Sequence, residues 1–528
     1  MELDFDEDND EDGPDESEGN ENTSGAQDER VLSQNESHRR QGVRSKSVPD
    51  ENSSANGTPT SGEARYCHEE QSEPIEVSAA LPRASPQVKT HRGRDVSGIN
   101  VHHDSSKSPN SLSDVLWHLS DLSVRPVMPS RKSDKEGVPS LSFEAPQPSD
   151  FGKMGKQELE PLSNRIITIL SGSCAGISEK QNLIRYLEKL SSNADAANIL
   201  TNGPIMLMLV KVMRLSKNPA FRVQIASLIG LLIRHSTAIE DELANSGILD
   251  SLTNGLRDKH EKVRRFSMAA LGELLFYIST QNEHNDFKPT ESPSKETRST
   301  SGWQVSSALI SLVSSMLRKG EDDLTQLYAL RTIENICSQG GYWASRFSSQ
   351  DVISNLCYIY RAAGKQESIR QTAGSCLVRL ARFNPPCIQT VVEKLSLKEI
   401  ASSFVKGSAR EQQTCLNLLN MAMIGSHTFP SFGRHLVTLT EEKNLFPSLL
   451  SIIEQGTEVL RGKAVLLVAL LCKNSRRYFP AKMNWEQSFF TAVKRVKHNC
   501  KRVRFVLLLQ RRRKRSPQFS PTSASYSE

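Results

Sequence analysis

Residues Asp258 to Ser279 read DKHEKVRRFSMAALGELLFYIS. A charged opening leads into a Val-Arg pair and then into small and apolar residues. With Arg264 as position zero, apolar residues stand at −1 (Val263), +4 (Met268), +7 (Leu271), +10 (Leu274) and +11 (Leu275). Those offsets share one face of a 3.6-residue helix. Forty-two residues earlier, NPAFRVQIASLIGLLIRHS places Arg222 at zero, with Phe221, Ala226, Ile229, Leu232 and Ile233 at the same offsets and Gly230 matching Gly272. The helix is one unit of something that repeats.

Five further copies follow the same register. Lys180 leads Ile184, Leu187 and Leu190; Gln326 leads Leu330, Ile333, Ile336 and Cys337; Arg370 leads Leu377, Leu380 and Ala381. Glu411 heads a blurred copy with Leu418 and Met421, and Arg461 the last, with Val465, Val468 and Leu471. The step from Arg264 to Gln326 is lengthened by a polar insertion, QNEHNDFKPTESPSKETRSTS, at 281–301. Between these helices lie others, such as NGPIMLMLVKVMRL, NSGILDSLTNGL and EKNLFPSLLSIIEQG, each opening near Asn.

A helical period of about 40 to 47 residues, without strand signals, predicts an all-α solenoid of HEAT or armadillo type over 158–477. Each unit must bury its apolar face on its neighbours. The expected core includes Ile229, Leu232, Leu271, Leu274, Ile333, Leu377 and Val468, each contributing about 1.5–3 kcal/mol when fully buried. Gly230, Ala269, Ala270 and Gly272 are expected to let helices approach closely. The residue at zero is read as structural, pairing with an acidic neighbour or capping carbonyls.

The flanks differ. Of the 528 residues only 37% are hydrophobic, mean hydropathy is −0.46, and the formal net charge of +5 hides a segregation. The first thirty residues carry 14 acids against one Arg, while KRVKHNCKRVRFVLLLQRRRKR, in 478–528, is about half basic. Residues 1–157, acidic and rich in Ser and Pro, are expected to be a long disordered linker, since they hold too little apolar surface to offset ordering entropy. One short helix is predicted within it, near 113–122: in SDVLWHLSDL, Val115, Leu116, Leu119 and Leu122 share a helical face beside Trp117, after a cap at Ser113. Either a partner or this protein's own folded part could take it up, and a transient helix without function is the alternative.

Nine scattered cysteines without a CxxC pair fit neither a disulfide framework nor a zinc site. Cys337, Cys376, Cys415 and Cys472 are read as small core residues. The N-terminus has no signal-peptide pattern, and the longest apolar run, Ala464 to Cys472, is about half a bilayer span, so no membrane partner is expected. Asp150, Phe151 and Gly152 form the triplet that holds magnesium in kinases, and HRGRD contains Asp95. Neither is accompanied by a Gly-rich phosphate loop or a strand lysine, so no catalysis, cofactor or small-molecule substrate is expected.

The repeat residues themselves, IASLIGLLIRHSTAIEDELANSGILDSLTNGLRDKHEKVRRFSMAALGELLFYISTQNEH with GWQVSSALISLVSSMLRKGEDDLTQLYALRTIENICSQGGYWASRF and RQTAGSCLVRLARFNPPCIQTVVEKLS, resemble the helical-repeat region of the Fused and unc-51-like kinase family. The likeness covers about Ser113 to Arg477, and MELDFDED is similar to the acidic linker of plant forms. It implies a repeat scaffold that follows a kinase or pseudokinase domain, with plant forms associated with microtubules and the phragmoplast and cell plate of cytokinesis. The chain departs from the family pattern at both ends, as a partial or alternatively spliced form would.

By that resemblance the expected function is a non-catalytic scaffold whose groove holds protein partners, microtubules or microtubule-associated proteins, in the cytoplasm and cytoskeleton. The alternative is the regulatory region of a Ser/Thr kinase whose catalytic domain is missing here. A third reading, a nuclear adaptor for basic cargo, lacks a visible ladder of groove Trp and Asn, with only Trp303 and Trp343 in the repeats. Ser292 in ESPSKE is the first candidate phosphosite, with Ser85, Ser108, Thr58, Ser516 and Ser520 also before Pro. Arg511, Arg512, Arg513, Lys514 and Arg515 could contact a polyanion, direct nuclear import or have no selected role; nucleic acid is not the expected partner.

Overall fold

The structure, a computed structural model, describes residues 112–129, 139–281, 302–425, 445–478 and 486–496, with Val503 and Val506. All fall within Ala79–Glu528, and Met1–Ser78 lies outside the described residues. Among the described residues every regular element is helical. The seven helices read from the sequence form the row: Ile177–Leu190, Pro219–His235, Glu261–Gln281, Asp323–Cys337, Glu367–Phe383, Ala409–Gly425 and Glu458–Tyr478, each packed on the next. They are named below by their zero residue, from the Lys180 helix to the Arg461 helix.

Local chemistry sets where these helices begin. Pro219 stands at the first helical position, where its missing N–H is no loss, and Asn218 accepts from Phe221 N at 3.0 Å. Asp322 caps the Gln326 helix through Thr325 N at 2.9 Å. A companion helix packs beside four of the long ones: Ile248–Gly255 on the Arg264 helix, Gln350–Arg361 on the Arg370 helix, Leu397–Lys406 on the Glu411 helix and Leu445–Gln455 on the Arg461 helix. Several units also open with a short third helix, such as Ala194–Asn202, Gly341–Arg346 and Cys387–Lys394. Periodicity shows only the two longer helices, because the third is too short to complete an apolar stripe.

Ile229, Leu232, Leu271, Leu274, Ile333, Leu377 and Val468 are all buried, in one continuous core that runs through the row. Three of the zero residues, Arg264, Gln326 and Arg461, reach back to the turn before their own helices. Arg264 donates to the carbonyls of Asp258 and Lys259 and pairs with Glu321 at 2.9 Å; Gln326 donates to Arg318 O at 2.7 Å and Arg461 to Glu454 O at 2.7 Å. Arg222 instead pairs with Asp258, in the turn before the next long helix. In the Arg264, Gln326 and Arg461 copies the side chain at zero ties the loop between companion and long helix to the long helix.

The folded part reaches beyond 158–477. Ahead of it, Phe151 in Pro148–Phe151 is fully buried and Tyr186 Oη donates to Pro146 O at 2.9 Å. Behind it, Glu486–Val496 packs on Leu445–Gln455, with Phe489 and Phe446 edge to face at 5.5 Å. Each of these segments carries one or two large apolar side chains in a polar context, which a composition average hides. Trp303 and Trp343 are core residues, not groove residues. The insertion at 282–301 lies outside the described residues. Among those described, no single helix is long and apolar enough to cross a membrane.

Candidate functional site

The long helices carry a second row of side chains. Positions +2, +6 and +9 lie on one helical face, adjacent to the core stripe. They are occupied by polar residues: Glu273, Asn335 and Arg379 at +9, Gln413 and Lys463 at +2, Asn417 at +6. Glu273, Asn335, Arg379, Asn417 and Lys463 are buried. A buried polar group without a partner is costly, so something must satisfy this row.

Residues 112–129 do so. This strap crosses the long helices in reverse order, from the Arg461 helix to the Arg222 helix. At its start Leu112–Leu116 packs on the Arg461 helix, and Lys463 Nζ donates to Leu116 O. Asp121 then turns into the row: one carboxylate oxygen pairs with Lys463 Nζ at 2.7 Å, and the other accepts from Gln413 Nε2 at 2.6 Å and Asn417 Nδ2 at 2.7 Å. Further on, Arg379 Nη2 donates to Ser123 O at 2.7 Å. Asn335 holds Arg125 from both sides, accepting from its N–H at 3.2 Å and donating to its C=O at 2.6 Å. Glu273 Oε1 accepts from Val127 N and Met128 N, both at 2.8 Å, and Arg234 Nη1 donates to Met128 O at 2.9 Å.

The strap's own sequence sets its shape. Pro126 biases Arg125 away from the helical region, so the chain is extended where Asn335 meets it. The continuous helix expected over 113–122 is instead broken in two: His118 caps a separate 3-10 turn, Leu119–Leu122, through Ser120 N at 3.2 Å. In consequence Val115 and Leu116 are buried, Leu119 is 51% exposed, and Trp117 lies over the Arg382 guanidinium at 5.1 Å. Asp121, not the leucine face, is what the turn delivers.

Two glycines make room for the strap. A Cβ at Gly230 would stand 2.1 Å from Met128 Cε and 3.0 Å from Ala270 Cα; one at Gly272 would stand 2.8 Å from Val127 Cγ1. The expectation that these glycines serve helix approach is thus half of their role. The other half is to notch the groove for Val127 and Met128, both fully sunk into it.

At the centre of the groove stands Glu334, at +8 of its helix. Arg125 Nη2 meets it at 2.7 Å, Arg379 Nη1 at 3.0 Å and Arg410 Nη2 at 3.2 Å. Burial alone would raise its carboxyl, but the three guanidiniums hold it down to about 2. Asp121 is likewise buried, and Lys463 keeps it below its ordinary value of 3.8. The groove therefore holds a cation seat for an acid at Lys463 and an acid seat for a cation at Glu334.

The sequence reading marked a short helix near 113–122, with its own folded part as one of the surfaces that could take it up, but neither the strap's course beyond it nor the row that binds it. Asn335 and Asn417 lie in the groove, so a partial Asn ladder is present, interleaved with Glu and Arg. The signal was a polar residue at +9 of successive copies inside otherwise apolar helices. Asp150, Phe151 and Gly152 lie at and just after Pro148–Phe151, and Phe151 serves the core. Among the described residues no His, Cys, Asp or Glu cluster could hold a metal ion. Cys337, Cys376 and Cys415 are buried, and Cys472 is half-buried. Ser85, Ser108, Ser292, Thr58, Ser516, Ser520 and Arg511 to Arg515 lie outside the described residues.

The chain is 86% identical over 478 residues, 90% of its length, to the serine/threonine-protein kinase RUNKEL of Arabidopsis thaliana. The chain is a relative of RUNKEL. It is also 24% identical over 405 residues to the serine/threonine-protein kinase ULK4 of Mus musculus. The chain spans about a third of the length of these relatives, 35% of RUNKEL and 29% of ULK4. The part shared with RUNKEL has the stacked-helix repeat fold described above. No family model matches the chain. Similar solved structures include the designed armadillo repeat protein YIII(Dq)4CqI, with a TM-score of 0.38 and 14% identity over 50% of this chain and 99% of that one. An engineered protein, target OR497, gives a TM-score of 0.40 and 10% identity over 66% of this chain and 89% of that one.

Proposed function

We propose that the chain is a non-catalytic repeat scaffold that holds protein partners through the groove crossed by the strap. The observation that carries this reading is the way main chain is bound there. Asn335 takes both the N–H and the C=O of Arg125, Glu273 two successive N–H groups and Arg379 a C=O. Side chains that pair with backbone groups accept an extended segment as such.

By the family resemblance, which the similarity to RUNKEL supports, the partners are microtubules or microtubule-associated proteins acting in cytokinesis. The basic run Arg511 to Arg515 is proposed as a second contact, to an acidic polymer surface or to the nuclear import machinery. Ser292, Ser85 and Ser108 are proposed as phosphosites that modulate such contacts. The site of action is proposed to be the cytoplasm and cytoskeleton. Co-sedimentation of the full chain with polymerised tubulin over a salt series tests the partner: pelleting should follow tubulin concentration and weaken above about 0.1 M salt. A chain that stays in the supernatant at low salt removes the microtubule reading.

A second reading has its own observation. Both relatives are serine/threonine-protein kinases, and the chain spans about a third of each. The scaffold would then be the regulatory region of a longer kinase. Sequencing the full transcript decides it: a kinase reading frame upstream and in phase supports this reading, and its absence removes it.

A further inference from the structure

We propose that the groove selects its occupant by side chain: it takes a segment whose opening helical turn bears an Asp and whose extended continuation carries an Arg four residues later and two medium-sized apolar residues at six and seven, and residues 113–128 hold it in cis against such a segment of a partner protein. This rests on the scaffold reading and names the chemistry of the partner.

Four seats define the pattern. The first is the buried Lys463 ammonium, met by the Asp121 carboxylate at 2.7 Å, with Gln413 and Asn417 donating to the other oxygen. The second is Glu334, which receives Arg125 at 2.7 Å. The third and fourth are the notches over Gly272 and Gly230, filled by Val127 and Met128. Opposite charges at a fixed separation also set direction, since a segment entering the other way would bring its Arg towards Lys463.

These seats explain why a replacement must resemble the strap. Lifting it takes the Asp121 counter-charge from a fully buried ammonium, and removing one partner of a buried pair is strongly unfavourable. It also uncovers two apolar notches. The groove is therefore not left open, and exchange proceeds towards a segment that brings a carboxylate and apolar side chains to the same places. The cis strap competes with the advantage of its tether, an effective concentration of about millimolar.

The test uses a fluorescent peptide copying Ser113–Pro129, titrated into the full chain and into the full chain carrying Asp121→Lys and Arg125→Glu. The double variant places like charge on like charge at both polar seats and so releases its own strap. The released chain should bind the peptide at least about tenfold more tightly than the wild type. A peptide carrying the same two reversals should bind neither, and Val127→Asp in the parent peptide should weaken its binding to the released chain. Equal affinity for both chains, or no binding to a released chain whose melt shows it folded, overturns the proposal. Should the released chain not fold, hydrogen exchange of the wild type decides: saturating peptide must speed exchange at Val127 and Met128, and unchanged rates overturn the proposal. None of these readouts involves tubulin, so peptide binding without microtubule pelleting would retain the groove pattern and remove only the microtubule partner. Pelleting without peptide binding would do the reverse.

Discussion

Asp121 and Lys463 lie 342 residues apart in the chain and meet at 2.7 Å, both side chains almost completely buried. This contact closes the strap onto the far end of the row. Replacing Asp121 by Ala strands an ammonium in a dry site, which is expected to weaken strap docking by about 3–5 kcal/mol. Replacing both, Asp121→Ala with Lys463→Met, should cost markedly less than the sum of the single changes, because the second removes the charge the first left behind. Thermal melts of the four chains measure the coupling, and additive losses would contradict it.

Acid should release the strap before it melts the row. Glu334 titrates at about 2 in the folded chain against an ordinary 4.5, and Asp121 is also held below its ordinary 3.8. Both folded values are depressed, so the unfolded or undocked form binds the proton more readily. Their stabilisation is complete above about pH 5 and is lost as pH falls through the range from about 4.5 to 2, with Glu334 contributing on the order of 3 kcal/mol. Limited proteolysis between pH 5 and 2.5 should show cleavage within 112–129 ahead of loss of helical signal. Glu334→Gln should remove most of the pH dependence in that window. An acid limb unchanged by this variant would show that the three arginines do not control it.

What the sequence disclosed was what apolar spacing can disclose. Leu271, Leu274, Ile333 and Leu377 were legible because burial on a helix imposes a period, and the zero residues because they recur in register with it. Glu273, Asn335, Arg379 and Lys463 were not, because a polar residue on a long helix looks the same whether it faces solvent or a strap. The strap's register was equally hidden: Asp121 and Arg125 find their groove partners 209 to 342 residues away, and no local pattern encodes that distance. Only the superposition of the copies, with Glu273, Asn335 and Arg379 all falling at +9, marks the row.

The row itself should fail locally when its core is charged. Leu271 is fully buried, on a helix that packs against both the Arg222 and the Gln326 helices. Leu271→Asp removes its burial and places a carboxylate in an apolar site, a combination in the range above about 4 kcal/mol. The expected result is a lowered melting temperature or a broadened transition by circular dichroism. A melt superimposable on the wild type would show that Leu271 is not in the stack.

Thiol chemistry gives an independent reading of the same packing. Burial pushes the thiols of Cys337 and Cys415 up to about 12, and that of Cys376 well above its usual value, although the nearby Arg379 acts in the opposite sense on Cys337 and Cys376. A thiol that is neutral at neutral pH and shielded from reagent reacts slowly, since the thiolate is the nucleophile. Cys174 is exposed. Iodoacetamide applied to the folded chain at pH 7.5, about one unit below an ordinary thiol, should therefore modify Cys174 and leave Cys337, Cys376 and Cys415 intact. Mass spectrometry of the tryptic peptides reads each site separately, and denaturant should make all four react. Early labelling of Cys376, which donates to Leu330 O at 3.3 Å across the interface between the Gln326 and Arg370 helices, would mean that this interface opens in the native chain and that the row is not continuous there.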